Sequence, residues 1–271
     1  MKKLYDKIKK AIEPEWPIQN TTIDFEPNFI FLLTPSNSGS TAISQVFVNS
    51  PNVGQMHPRA EGQWLIKGMH NGDSWNNEKY IKKNSLRSVW LNKCHQVFKE
   101  HNARYFIEKS PPNMMRVDLL QKVFPNHILL ANNRNPYANV SSRFYRYTKN
   151  REGLSLDQRL NTMRGLAKTW ALRSKILKDL IQNKKIPYLS YEDFCSTPSL
   201  LQAQIDKTKF SGQVKLNFSA SVKVKDYQAQ GIVDYNQKQI DGLTPNDLSA
   251  ISGVLKNNEN LLSFFDYEIH D

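Results

Sequence analysis

The residues SNSGST, Ser36 to Thr41, are small, rich in hydroxyls and include one glycine. A turn of this kind lets several backbone N–H groups converge on one anion, and a helix starting there adds the positive end of its dipole. Ser38, Ser40 and Thr41 contribute hydroxyl donors as well. The Gly-Lys-Ser/Thr of a magnesium–ATP loop is missing, which argues against an ATPase or kinase. A strand-to-helix turn with a serine cap accounts for the same residues without any ligand.

A second such segment is RNPYANVSS, in which Arg134 ends an apolar run and Ser142 lies eight positions on. Eight helical residues span about 12 Å, so Arg134 and Ser142 bracket one phosphate only if the connection between them folds back. Arg143 and Arg146 are expected on a solvated face. FIEKSPPN places Lys109 and Ser110 at a strand end, and NSPNVGQMHPRAEGQWL carries His57 and Glu61 in a loop. Each has an ordinary alternative as a solvated lysine, an exposed histidine or a solvated glutamate.

The elements that must position these residues alternate in type. The sequence predicts a short amphipathic helix near the N-terminus (Leu4, Ile8, Ile12), a strand Phe29 to Leu33 and a helix from about Ser40 to Val48. Asn52 to Asn77 lacks periodicity and is expected to be loop with short elements. Then come a helix in SLRSVWLNKCHQVFKEH, a strand in ARYFIEKS and a helix NMMRVDLLQKVF capped by Asn113. The strand HILLANN leads to a helix whose first turn holds Pro136. A long helix interrupted near Gly165, the strand IPYLS, a helical turn at YEDF and a tail helix Pro245 to Leu262 complete the pattern. Strands alternating with helices argue an α/β fold with a central parallel sheet flanked by helices on both faces. Ligands of such sheets sit beyond the carboxyl ends of the strands, where the turns after Leu33, Ile107 and Leu130 all fall.

The 37 basic and 25 acidic residues leave a net charge of +12, which points to anionic partners: a phosphorylated nucleotide, an acidic polysaccharide, nucleic acid or a membrane surface. No nucleic-acid reading motif accompanies the charge. Apolar runs fall short of a membrane span, so stable membrane insertion is not expected. Cys94 and Cys195 show no metal spacing, no metal is expected, and a reduced, cytoplasmic setting is.

With SNSGST and RNPYANVSS in order on successive strand–helix units, the chain resembles the sulfotransferases that use 3′-phosphoadenosine 5′-phosphosulfate (PAPS). LSYEDF, with Tyr191 to Phe194, matches a third family feature, and LLSFFDYEI is similar to the close of bacterial members. The resemblance covers about Phe29 to Phe194 and implies a P-loop-like three-layer fold. It implies that Asn37, Ser38, Gly39, Ser40 and Thr41 hold the 5′-phosphosulfate, that Arg134 and Ser142 hold the 3′-phosphate, and that Tyr191 lies near the adenine. SVKVKDYQAQG looks like the basic loop that closes over the nucleotide, which gives Lys225 a place there. The expected organisation is one domain over residues 1–271: an N-terminal helix and lead-in (1–27), a nucleotide-binding core (28–195) and a C-terminal helical and closing-loop region (196–271).

The implied reaction is in-line transfer of a sulfuryl group from PAPS to a hydroxyl or amine, with no metal, through a loose transition state where positioning and charge dominate. The acceptor is a small molecule or carbohydrate, with a glycolipid among the options. Two departures stand out. Most members carry Lys or Arg just before the Ser-Gly of the loop, where this chain has Asn37; Lys109 is the best substitute cation. Many members use a histidine two residues after that lysine, where this chain has Pro111; other members use a glutamate after the first strand–helix unit, which favours Glu61 as base with His57 as rival. Trp64, Trp75, Phe144, Tyr145 and Tyr147 are candidates for an acceptor pocket, core packing being the expected role of most. The competing readings are a nucleotide- or polyanion-binding protein on the same scaffold with little turnover, and a P-loop kinase. Oligomeric state is open.

Overall fold

Phe29, Phe31 and Leu33 of β1 (Asn28–Leu33) are buried in one hydrophobic cluster, and Ile30 and Leu32 are buried in another. A strand covered on both faces needs no polar alternation, which is why FIFLL is an unbroken apolar run. The computed structural model describes residues 25–66, 69, 75, 83–222 and 231–270. The expected N-terminal helix and Lys225 lie outside them.

After β1 come α1 (Ser40–Val48), β2 (Val53–Gly54), α2 (Lys83–His101), β3 (Tyr105–Glu108), α3 (Val117–Val123) and β4 (His127–Asn133). The chain continues through α4 (Pro136–Tyr147), α5 (Leu156–Lys184), β5 (Tyr188–Ser190), α6 (Tyr191–Ser196) and α7 (Leu200–Ile205), and ends in α8 (Asn236–Ile240), α9 (Pro245–Leu255) and α10 (Glu259–Phe264). The five strands run in the order β2-β3-β1-β4-β5, with every neighbouring pair parallel. All five carboxyl ends therefore lie along one edge, and β1 is central, between β3 and β4.

One face of the sheet packs Phe29 and Phe31 against Trp90 of α2 and Phe124, with Phe29 and Phe124 ring centres 4.5 Å apart. The same cluster takes in Met163, Ala167 and Trp170 of α5 and the buried stripe of α9. The other face buries Ile43, Val46 and Phe47 of α1 against Phe194 and Leu201. Aromatic bulk on one side and α1 on the other clamp β1, so the turn that follows it leaves a rigid platform.

Three local expectations need correction. Asn113 does not cap a helix: Pro111–Met115 is a 3-10 turn, and the Asn113 amide donates to Glu108 instead. Helix α5 is continuous through Gly165, whose added Cβ would meet nothing; its start is secured by a capping box between Ser155 and Gln158. The tail is two helices, not one, because the 3-10 turn Lys256–Asn258 separates α9 from α10. The strand β2 lies in the region expected to hold only loop and short elements, and its two residues are too few to leave a periodic signal.

Candidate active site

The loop between β1 and α1 turns on two left-handed residues, Asn37 at φ 66° and Gly39 at φ 80°. Asparagine tolerates that conformation through its short polar side chain, and glycine has no Cβ to clash. Gly39 is required for a second reason: a Cβ there would sit 2.0 Å from Cδ2 of Tyr191. The Tyr191 ring thus lies directly on the loop backbone. No side chain caps α1, and its first amides, those of Ser40 and Thr41, have no acceptor within the helix.

Helix α4 holds the loop from the side. Asn139 Nδ2 donates to the Ser36 carbonyl (2.9 Å) and to Ser38 Oγ (3.2 Å). Asn37 spans to the same helix, donating to Ser142 Oγ (3.0 Å) and accepting from the Tyr147 hydroxyl (3.3 Å). Helix α4 starts where it does because the Asn135 side chain accepts from the amides of Tyr137 and Ala138, with Pro136 in the first turn as expected.

Arg134 meets Ser142 through the loop. Its Nη1 donates to the Asn37 carbonyl at 3.4 Å, its Nε donates to Asn236 Oδ1 at 2.7 Å, and its guanidinium lies 4.4 Å from the centre of the Tyr191 ring. Arg134 and Ser142 thus both contact Asn37, one at its carbonyl and the other at its side chain. Glu192 steadies the arrangement by accepting from Asn236 Nδ2, the Asn135 amide and the Tyr267 hydroxyl. Arg134 is only 6% exposed, yet its Nη2 is buried with no acceptor among the described residues.

A second group forms at the ends of β3 and β2. Lys109 Nζ lies 3.0 Å from Glu61 Oε1, the lysine 3% and the glutamate 18% exposed. Glu61 Oε2 accepts from Trp64 Nε1 (2.9 Å) and Gln63 Nε2 (3.1 Å). Burial pushes the Glu61 carboxyl up, but the Lys109 charge and the hydrogen bonds from Trp64, Lys109 and Gln63 outweigh it and hold it below its ordinary value. His57 is lowered by burial and by Arg59 and forms no hydrogen bond to Glu61; its Nδ1 accepts from the Arg59 amide.

Glu108 ties this second group together from beneath. Its carboxylate accepts from the amides of Gly62 (2.5 Å) and Ser110 (2.9 Å) and from Asn113 Nδ2 (3.0 Å). The Lys109 amide donates to the Ala60 carbonyl, and the Gln63 amide donates to Ser110 Oγ. Residues 60 to 63 are thereby stitched to residues 108 to 110, so Glu61 and Lys109 face each other by construction. Burial pushes the Glu108 carboxyl up to about 7 against the hydrogen bonds from Ser110 and Gly62.

The aromatic candidates divide. Phe144 is core, whereas Trp64, Tyr145 and Tyr147 are exposed. Asn139, Asn236, Glu192 and Glu108 were not singled out by sequence. For Asn139 the signal was present, since it lies one helical turn before Ser142 on the same face; Asn236 is brought in from over a hundred residues away. Cys94 and Cys195 are both free and belong to opposite faces of the sheet. Among the described residues, no cluster of His, Cys, Asp and Glu is disposed to hold a metal, and no helix is long and apolar enough to cross a membrane.

The model of the sulfotransferase family matches residues 27–205 of the chain. A solved sulfotransferase from Mycobacterium avium superposes with a TM-score of 0.53 at 14% identity, over 98% of this chain and 82% of that one. A sulfotransferase from Alicyclobacillus acidocaldarius gives 0.51 at 14% identity, over 90% and 97%. The sulfotransferase domain from the curacin biosynthetic pathway gives 0.51 at 16% identity, over 90% and 99%. At such identities the structures speak for the shared P-loop-like fold. No curated protein matches the sequence.

Proposed function

This chain belongs to the sulfotransferase family, and on that premise we propose that it transfers a sulfuryl group from PAPS to a hydroxyl or amine of a small-molecule or carbohydrate acceptor. The observation that carries the donor assignment is Arg134. A buried guanidinium with one nitrogen lacking an acceptor is costly, and a phosphate oxygen is the natural group to satisfy it. Asn236 and Tyr191 orient the guanidinium, Ser142 lies across the loop from it, and together they suit the 3′-phosphate and the adjoining base. The first amides of α1 and the hydroxyls of Ser40 and Thr41 suit the 5′-phosphosulfate. PAPS contributes an activated sulfuryl group with a phosphate as leaving group.

Glu61 is the proposed base. It is an ionised carboxylate at neutral pH, and although Lys109 and the hydrogen bonds that lower its pKa weaken it as a base, they fix its position for taking the acceptor's proton. Lys109 holds that carboxylate in place and adds positive charge near the reacting centre. His57 is the weaker candidate, because its Nδ1 is already engaged by the Arg59 amide. The free cysteines suit a reduced, cytoplasmic compartment. The net charge of +12 fits an anionic donor and an acidic carbohydrate or glycolipid as acceptor.

Titration calorimetry tests the donor assignment. Adenosine 3′,5′-bisphosphate, the product nucleotide, should bind in the micromolar range without magnesium, and ATP with magnesium should bind far more weakly. Arg134→Ala should lose most of the bisphosphate affinity. The reverse ligand preference would place the chain among nucleotide kinases. Tight binding with no transfer to any acceptor in a screen with labelled PAPS would favour a binding protein, the reading that Asn37 and Pro111 keep open.

A further inference from the structure

Two arginines meet at the rim of the loop. Arg173, from the middle of α5, donates through Nη1 to Ser36 Oγ at 3.3 Å, and its guanidinium lies 4.0 Å from the centre of the Trp75 ring. Arg143, on α4, donates to the Leu166 carbonyl at 3.4 Å and lies close enough to Arg173 to oppose its charge. Burial and then Arg143 pull the Arg173 guanidinium down to about 10, with Tyr147 acting in the other direction. Among the described residues, neither arginine has a carboxylate partner. Partly desolvated like charges without a counter-ion are unfavourable until an anion joins them. Guanidinium groups match the oxygens of phosphate and sulfate esters in geometry.

Asn37 cannot supply that charge, and its amide is already committed to Ser142 and Tyr147 on α4. Position 37 therefore serves as a brace, while a cation arrives at the neighbouring Ser36 from a different helix.

We propose that Arg173 is a catalytic residue that places its guanidinium on the 5′-phosphosulfate, supplying the charge that residue 37 lacks. The inference rests on the PAPS assignment above. As the acceptor oxygen bonds to sulfur, the bond from sulfur to the bridging oxygen breaks. The electron pair stays on the departing 5′-phosphate, and the acceptor's proton passes to Glu61. The departing phosphate gains one negative charge, and a fixed guanidinium beside it stabilises that state more than the ground state. Arg143 keeps the surroundings positive and makes Arg173 dependent on an anionic ligand.

Calorimetry on the full chain with two ligands tests this. Arg173→Gln keeps a donor for Ser36 and a planar group on Trp75 but removes the charge. It should weaken adenosine 3′,5′-bisphosphate by about ten- to a hundred-fold and leave adenosine 3′-monophosphate, which lacks the 5′-phosphate, unchanged. Arg173→Lys should retain most of the bisphosphate affinity. Adding Asn37→Lys to Arg173→Gln should recover part of the loss, which a purely architectural role for Arg173 would not allow. Equal losses for both ligands, or undiminished bisphosphate binding, would overturn the proposal while leaving the PAPS assignment intact. Wild-type protein that binds neither nucleotide would overturn the PAPS assignment itself.

Discussion

The Glu61–Lys109 pair should behave asymmetrically when either partner is removed. At 3.0 Å, two unit charges attract by about 5 kcal/mol at an effective dielectric near 20. Desolvation offsets much of that, so the coupling left to measure should be about 2 kcal/mol. Glu61→Gln strands an ammonium that is 3% exposed and should cost about 3 kcal/mol. Lys109→Met leaves a carboxylate that is partly exposed and still hydrogen-bonded to Trp64 and Gln63, so it should cost about 1–2 kcal/mol. The double variant should then cost less than the sum of the singles.

Urea unfolding at neutral pH measures all three variants. The Glu61 carboxyl has a lowered pKa in the folded state. Its contribution is therefore fully present above the unfolded value, about 4.3, and is lost as pH falls through the folded value. Neutral pH thus captures the whole effect. Single-variant costs that add to within about 0.5 kcal/mol would refute the coupling, and with it the claim that the two side chains hold each other. On the proposed mechanism, Glu61→Gln should also keep bisphosphate binding and lose transfer; normal transfer would remove Glu61 as base.

Gly39→Ala should be severely destabilising, because the new Cβ meets a Tyr191 ring pinned through its hydroxyl to the Val233 carbonyl and the Tyr235 amide. A left-handed alanine with that overlap should cost about 3 kcal/mol and lower Tm by about 6–12 °C; an unchanged melting curve would mean that the ring does not lie on the loop. Glu108 leaves its mark on pH dependence. Its folded pKa, about 7, lies above the unfolded value, so stability should fall as pH rises from about 4.5 to about 7 and level off beyond, by on the order of 3 kcal/mol at most. Glu108→Gln should flatten that slope in urea unfolding at a series of pH values, and an unaltered slope would assign it to other groups.

What the sequence made legible was whatever is local. The apolar run Phe29 to Leu33, the small-residue turn that follows it and Pro136 in a first helical turn are each decided by neighbours within a few residues, and the structure agrees with them. Arg134 and Ser142 were readable as a pair only through the family pattern, since their shared contact with Asn37 is held by Asn139 on the loop and Asn236 on the guanidinium. Asn113 was misread because a buried carboxylate two residues before Ser110 competes for its amide. Gly165 was misread because a long helix packed against α4 and α9 tolerates one glycine's weak propensity. Arg173 could not have been found at all: nothing in a run of helical residues tells which of its cations faces a loop more than a hundred positions earlier.

That last point changes what Asn37 implies. In isolation, a neutral residue in an anion loop weakens the case for turnover. Yet its φ of 66° suits asparagine better than a long cation, and its amide donates to Ser142 while accepting from Tyr147, a pairing that an ammonium, with donors only, cannot reproduce. Rigidity at the loop and charge at the loop are separate requirements, and different residues can meet them. On this reasoning the loop takes its shape from Asn37 and Asn139 and its charge from Arg173. Asn37→Lys in the wild-type background should therefore lower Tm and give little or no gain in bisphosphate affinity, the opposite of its effect once Arg173 has lost its charge.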